Sequence, residues 1–404
     1  MKKKQQKIDL LIVIPYVLLC LIGILMVFSA SSFNLMTLGA YMGSKFLKQS
    51  LFVCMGFITA YFFYRVKLEV LFTKTLISLY MLISLLLLLI VSYTPLGIDV
   101  GGAKRWIPLG GINIQPSEIV NVIFILYLAN YLSKHPVSEP LKERYRKPLI
   151  ICFTYILLVA LQPNVAGAAM LLILLVTMLL ASGVPVLLSV GVGALGMALR
   201  SLITFVALNI NRQFVPAKYR YLLVRFELMG NPFLDEFDKG YQTSNSYYAM
   251  YNGGFWGRGY GQSLQKKNRL PAADTDFIFS VTIEELGLVV SMLILFLPFL
   301  IVLRTFYLAI IIEDSRKSLC CFGIGMVLLL QVSVNVGSLL GYIPMTGVTF
   351  PFVSYGGSSV IILSSLIGIV LNISRWQNKS VIMKEEKNKW NKKNTTSLAR
   401  VFLS

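Results

Sequence analysis

The sequence predicts an all-α polytopic membrane protein of about ten transmembrane helices, and three observations carry that prediction. The 404 residues are 56% hydrophobic and only 14% charged, whereas soluble domains carry roughly a quarter charged residues. Apolar stretches long enough to cross a bilayer, roughly 17 to 25 residues each, recur along most of the chain. Cys20, Cys54, Cys152, Cys320 and Cys321 all lie in or at the ends of those stretches, with no CxxC pair, and read as small core residues.

The first stretch follows MKKKQQK and stays apolar from Leu10 to Val27. It is too long for the apolar region of a signal peptide, and FSASSF after it is a poor cleavage site, so it reads as a retained helix. Length and apolar density then place spans at Leu10–Ser29, Leu51–Tyr64, Thr75–Tyr93, Ser117–Leu132 and Pro148–Leu161. The other five are Val165–Ala181, Val184–Leu208, Phe277–Arg304, Leu319–Leu340 and Val360–Ile373. An even number puts both ends on one side. The basic N-terminus, Arg65 and Lys67, the loop KERYRK and the tail all assign that side to the cytoplasm. Residues 1–376 therefore form the membrane domain, with a large extracellular loop at 209–276 between the seventh and eighth spans. Residues 377–404 form a basic cytoplasmic tail whose composition predicts disorder.

The net charge of +19 collects at these same cytoplasmic positions. An anionic inner leaflet attracts such segments, so nucleic-acid binding is not implied. The one histidine, His135, sits in a basic loop, which excludes a histidine triad or a histidine-based metal site. No internal repeat marks a transporter of the inverted-repeat kind.

Chemistry concentrates in the outward segments. LPAADTDFIFSVTIEELG, residues 270–287, holds Asp274 and Asp276 before an apolar run and Glu284 and Glu285 inside it. A charge at membrane depth costs roughly 2.5 to 3.5 kcal/mol on insertion scales. Asp274 or Thr275 reads as a helix cap complementing the dipole. One cap suffices, which leaves Asp276 in excess. Residues seven or eight apart share a helix face, so Glu284 lies roughly below Asp276, and Glu285 reads as a buried structural acid. GGAKRW supplies Lys104, Arg105 and Trp106, which taken alone form an ordinary interfacial anchor. IQPSE starts a helix with Pro116 at a permitted position and Glu118 in its first turn. PMTG and SYGGSS, the latter with Ser354, Gly356 and Gly357, are turns whose glycines allow backbone to approach a ligand.

The order and spacing of GAKRW, QPSE, GYQ, LP–TDFIF–EELG, PMTG and PFVSYGGSS are specific in combination. With them the chain resembles the shape, elongation, division and sporulation family, the membrane glycosyltransferases typified by FtsW, RodA and SpoVE, over essentially every span. The resemblance implies about ten transmembrane helices and polymerisation of lipid II, the undecaprenyl-diphosphate-linked disaccharide peptide, into glycan strands. It implies a class B penicillin-binding protein as transpeptidase partner, with other divisome or elongasome membrane proteins. Asp276 matches the family's proposed catalytic aspartate, and Arg105 and Trp106 match its RW pair. GQSLQK is more like the FtsW and SpoVE pattern than that of RodA. Four positions depart from the family: Ala272 stands for a glutamate, Asp274 for a histidine, Asn121 for a lysine and Asn164 for an aspartate.

The chemistry suits one carboxylate. A lipid diphosphate leaves as a stable anion, so only the incoming hydroxyl needs a base, and positive charge or a metal can stabilise departure. Asp276 is the candidate general base. Arg105 is the first candidate for holding diphosphate, with Trp106, Lys266 and Arg258 as further substrate-binding candidates. Glu118, Glu285, Ser354, Gly356 and Gly357 are supporting residues. No tightly bound cofactor and no protein metal site are expected; Mg or Mn accompanying the diphosphate is the one cation the chemistry admits. The alternatives are a lipid II flippase, with Glu284 or Glu285 as essential acids, and a non-catalytic scaffold for the penicillin-binding protein.

Overall fold

A computed structural model describes residues 8–37, 41, 43–99, 104–110, 112–135, 137–216, 219–229, 231–267 and 269–402. The basic leader at 1–7 and residues 101–103 of GGAKRW lie outside the described residues. The chain runs α1 (Leu10–Thr37), α2 (Ser44–Arg65), α3 (Leu68–Leu71), α4 (Lys74–Tyr93), β1 (Ile98–Asp99), β2 (Lys104–Leu109), β3 (Ile112–Ile114) and α5 (Pro116–Leu132). It continues through α6 (Leu141–Leu161), α7 (Val165–Ala181), α8 (Val186–Asn209), α9 (Arg220–Glu227), α10 (Tyr241–Gly253), α11 (Ile278–Ile311), α12 (Ser315–Leu339) and α13 (Gly357–Phe402). Among the described residues, each of the ten apolar stretches is a helix, and seven are long and apolar enough to cross a membrane by length and composition. The protein is a polytopic membrane protein.

Two details differ from the sequence reading. Ile98–Asp99, Lys104–Leu109 and Ile112–Ile114 form a three-stranded antiparallel sheet, ordered β1-β2-β3, inside an otherwise helical chain. Residues 377–402 continue α13 in place of a disordered tail; the segment lacks proline and glycine, and its lysines, glutamates and leucines are good helix formers.

Hydrogen bonds between helices fix which ends lie together. Arg304 Nε of α11 and Ser374 Oγ of α13 both donate to Asp9 Oδ2 at the start of α1, each at 2.9 Å. The sheet, α9, α10 and the turns before α11 and α13 gather at the other end of the bundle. The core packs α13 along α2, α11 along α1 and α12, and α12 along α5. Helix α8 stands apart. None of its residues is buried; its C-terminal half lies against α9, and Arg200 donates to the Tyr342 carbonyl at 2.9 Å.

The fold's main irregularity explains the two deep glutamates. Helix α11 is broken at Gly287, where φ is +81° and ψ 166°. The chain after α10 folds against this break and bonds to the backbone on both sides of it. Arg258 and Gly259 donate to the carbonyls of Glu284 and Glu285, both at 2.9 Å, and Leu288 donates to the Gly254 carbonyl at 2.9 Å. The approach is so close that a Cβ on Gly287 would lie 2.4 Å from the Phe255 carbonyl oxygen, and one on Gly257 equally close to that of Glu285. Glu285 accepts from Ser29 Oγ at 2.7 Å, Lys266 Nζ at 2.7 Å and the Gly261 amide at 3.0 Å. Glu284 accepts from Ser263 Oγ and from the Leu264 amide at 3.0 Å. Both carboxylates are buried. They staple the segment 261–266 to α1 and α11.

Two substitutions test this staple. Gly287→Ala combines a left-handed φ, costing about 1–2 kcal/mol, with direct overlap on backbone, and is expected to abolish most folded protein, whereas Gly196→Ala, facing open space on α8, is tolerated. Glu285→Gln leaves Lys266 buried without its countercharge, a loss of about 3–5 kcal/mol. Folded yield and unfolding temperature in detergent check both, and Lys266→Met added to Glu285→Gln should restore part of the loss.

Candidate functional site

The segment 269–277 turns from the stapled region into α11 and carries both aspartates. Ala272 sits at φ +56°, and its carbonyl accepts the amides of Thr275 at 3.1 Å and Phe277 at 3.3 Å. A non-glycine residue in that region is uncommon and is held there by its surroundings. The next three carbonyls are clamped in succession from the α12–α13 side. Tyr355 N–H donates to the Asp274 carbonyl at 2.8 Å, Ser354 Oγ to that of Thr275 at 2.7 Å, and Asn335 Nδ2 to that of Asp276 at 3.1 Å. Asn335 also donates to the Val348 carbonyl at 2.7 Å, tying the two loops together.

This clamp aims the Asp276 side chain at Gly347. A Cβ on Gly347, whose φ is +73°, would stand 3.3 Å from Asp276 Oδ2, so glycine leaves that face of the carboxylate clear. Burial pushes the Asp276 carboxyl up to about 6; the positive charge of Arg225 on α9 works against that rise and the negative charge of Asp274 adds to it. A carboxylate with its proton affinity in this range is suited to general-base work near neutral pH.

Neither Asp274 nor Thr275 caps α11. The N-terminal flanking residue is Phe277, with no side-chain cap, and Asp274 instead forms an ion pair with Lys45 of α2 at 2.5 Å. The cations expected to bind substrate also sit differently. Arg105 on β2 donates through Nε to the Gln162 carbonyl at 3.3 Å and through Nη2 to the Pro163 carbonyl. It fastens the sheet to the corner between α6 and α7. Trp106, next to it, pairs across the sheet with Ile98. Lys266 is buried on Glu285 and Ser29, which removes it from the substrate-binding set, because a diphosphate cannot reach an ammonium sealed in protein. Arg258 is exposed, and its amide belongs to the α11 junction. Among the described residues, Arg225 is a cation that acts on Asp276, and it carries no sequence signal beyond lying in the long connection before α11.

The supporting residues assemble a second layer. Glu118, in the first turn of α5, accepts from Ser358 Oγ at 2.7 Å in the first turn of α13. Gly357 admits the Phe52 ring, which a Cβ there would meet at 2.8 Å, while Gly356 makes ordinary contact with Ser359. Asn164 caps α7 by accepting the Gly167 amide at 3.1 Å and donates its own amide to Ser117 at 3.1 Å. An amide performs both tasks here without adding a buried charge. Glu284 and Glu285, the acids a flippase would use, are buried and accept from protein hydroxyl, amide and ammonium donors.

Comparison with known proteins agrees with this architecture. The cell cycle protein family of FtsW, RodA and SpoVE matches residues 9–379. The chain is 41% identical to the probable peptidoglycan glycosyltransferase FtsW of Enterococcus hirae, covering 96% of this chain and 95% of that one. It is 33% identical to the stage V sporulation protein E of Bacillus subtilis, over 93% of this chain and 99% of the other. Among solved structures, a chain described under "structural coordination of polymerization and crosslinking by a peptidoglycan synthase complex" superposes with TM-score 0.70 at 26% identity, covering 91% of this chain and 98% of that chain. The rod shape determining protein RodA of Thermus thermophilus superposes with TM-score 0.63 at 26% identity, covering 91% of this chain and 97% of that chain. In sequence over nearly its whole length, and in fold, this chain belongs to the family of FtsW, RodA and SpoVE.

Proposed function

We propose that the protein is a peptidoglycan glycosyltransferase that polymerises lipid II into glycan strands on the outer face of the bacterial plasma membrane. The observation that carries the reading is Asp276: a partly buried carboxylate with raised proton affinity, held by three successive carbonyl clamps at the outer end of the bundle. Asp276 takes the proton from the 4-hydroxyl of the acceptor's GlcNAc. That oxygen attacks the anomeric carbon of the donor's MurNAc with inversion, and undecaprenyl diphosphate departs with the bond's electron pair. Because the diphosphate needs no protonation, a second carboxylic acid is dispensable. Arg225, on the flank of Asp276, supplies positive charge toward the leaving diphosphate. Among the described residues no group of three or more acidic, histidine or cysteine side chains gathers to hold a metal, so Mg or Mn enters this reading as the counter-ion of the diphosphate. The termini are placed in the cytoplasm, and a class B penicillin-binding protein is the proposed partner within the division or elongation machinery.

Asp276→Asn keeps the size of the side chain and removes the base. A positioned base contributes about 10² to 10⁴ in rate, so polymer formed per folded molecule from purified lipid II should fall by that order. Stability should move the other way. The folded carboxyl titrates near 6 and the unfolded one near about 3.9, so wild type loses stability as pH rises between those values. Asp276→Asn should match wild type below about pH 4 and unfold at higher temperature above about pH 6. Wild-type polymerisation at neutral rates by Asp276→Asn would remove Asp276 as base.

The pH profile follows from the same group. Because the base must be ionised, the wild-type rate is expected to fall about tenfold per unit below about pH 6 and to level off above it. A flat profile from pH 5 to 8 would contradict the assignment.

Orientation has its own test. With Phe237→Cys, at a position 90% exposed in the long loop, an impermeant maleimide should label intact cells in a cysteine-free background. A cysteine replacing Lys142, in the first turn of α6, should stay protected until the cells are opened; the reverse pattern would invert the topology.

A further inference from the structure

Lys45 is a charge in an unexpected place. It lies in the first turn of α2, at the outer end of the bundle, where the helix dipole disfavours a cation and the short-loop bias places few basic residues. Its ammonium is 2.5 Å from Asp274 Oδ2, and the Asp274 side chain is only 12% exposed. The same ammonium stands 5.4 Å from the centre of the Tyr355 ring, and the Tyr355 amide donates to the Asp274 carbonyl at 2.8 Å. Lys45, Asp274 and Tyr355 thus close a ring of contacts joining α2, the Asp276 turn and the entry to α13. Exposed ion pairs contribute little, but a pair with one carboxylate mostly buried is screened far less.

We propose that the Lys45–Asp274 ion pair is the positioning element that tunes Asp276: it pins the turn from the α2 side and cancels the second negative charge beside the base. Two carboxylates two residues apart repel, and the one that must ionise for catalysis is the one that loses. Among the described residues, other groups also bear on this region. Arg225 approaches from α9 and favours ionisation of Asp276. Asn335 of α12 and Gly347 are neutral. Tyr355, whose hydroxyl is raised by burial and by Asp274, stays uncharged across the working range. Glu284 and Glu285 are engaged by the segment 261–266.

The signs are separable. Without Lys45, Asp274 is uncompensated, so Asp276 holds its proton more tightly and the ascending limb of the pH–rate profile moves to higher pH. Without the Asp274 charge, the limb moves to lower pH.

This inference rests on Asp276 being the base, so its test carries a readout independent of turnover. Purified full-length Lys45→Met, Lys45→Arg, Asp274→Asn and the Lys45→Met/Asp274→Asn double variant are assayed on lipid II from pH 5 to 8. In parallel, each is compared with its own Asp276→Asn derivative in unfolding temperature over the same pH range, which reads the protonation of Asp276 without any reaction. Lys45→Met should raise both midpoints by about half to one pH unit, and Asp274→Asn should lower both; Lys45→Arg should restore wild-type values. The Lys45→Met shift should shrink in the Asp274→Asn background. Should Lys45→Met fail to fold, the downward shift in Asp274→Asn still decides. Unmoved midpoints in the unfolding series, or equal Lys45→Met shifts in both backgrounds, would overturn the proposal. A wild-type unfolding midpoint that follows Asp276 while the rate ignores it would instead overturn the base assignment and leave the tuning inference standing.

Discussion

The interruption of α11 at Gly287 is the constraint on which the half of the molecule that carries Asp276 depends. A backbone broken at membrane depth frees amides and carbonyls that lipid cannot satisfy, and such breaks persist only where protein supplies the missing partners. Here the partners are the carbonyls of Gly254 and Phe255 and the amides of Arg258 and Gly259, which requires that stretch to press backbone against backbone. Glycine at 253, 257 and 287 is the steric condition for that approach. Once the stretch is seated, the following segment delivers Lys266 to Glu285 and the Ser263 hydroxyl to Glu284. Residues 253–266 of the connection before α11 are therefore packed into the bundle, while Phe237 earlier in it stays exposed.

The position of Asp276 follows from the same constraint. One end of its turn is fixed by the stapled segment and the other by the start of α11. The α12–α13 loop takes hold of the three carbonyls in between, at Asp274, Thr275 and Asp276. A base on such a turn does not need to be organised by its substrate, which is what a positioned group requires. Arg105, Glu118, Asn164 and Ser354 extend this support outward, joining the sheet, α5, α7 and α13 at one end of the bundle. Motifs far apart in sequence thus act as one scaffold. Their spacing looked like a set of ligand-binding loops because each contains glycine or a charge, yet most of those charges are satisfied by protein.

What the sequence could and could not reveal divides along physical lines. The ten spans were legible because membrane solvation writes itself into long apolar runs, and Glu285 was legible as a buried acid because charge at depth demands a partner. The small sheet was hidden, since KRWIPL and INI are short and next to glycines that also fit a loop. The partners of the charges were hidden for another reason. Lys266 could be read as a substrate cation only while its distance from Glu285, nineteen residues along the chain, was unknown. Asn335 and Lys45 act on residues 59 and 229 positions away, and no local pattern announces contacts of that range.

The four carboxylates of LPAADTDFIFSVTIEELG then resolve into a gradient of satisfaction. Glu284 and Glu285, deepest in the fold, receive hydroxyl, amide or ammonium donors at their oxygens and are chemically quiet. Asp274 receives one ammonium and a main-chain clamp on its carbonyl. Asp276 has its carbonyl clamped too, but its carboxylate faces a glycine, with an arginine nearby and burial working against its charge. Thr275 supplies a side-chain hydrogen bond to that carboxylate, and a carboxylate held against its own desolvation is costly to the fold, a cost that fits the base role proposed for Asp276. The order of the acids in the sequence says nothing of this difference. It arises from what the broken helix, the inserted segment and α2 bring to each of them.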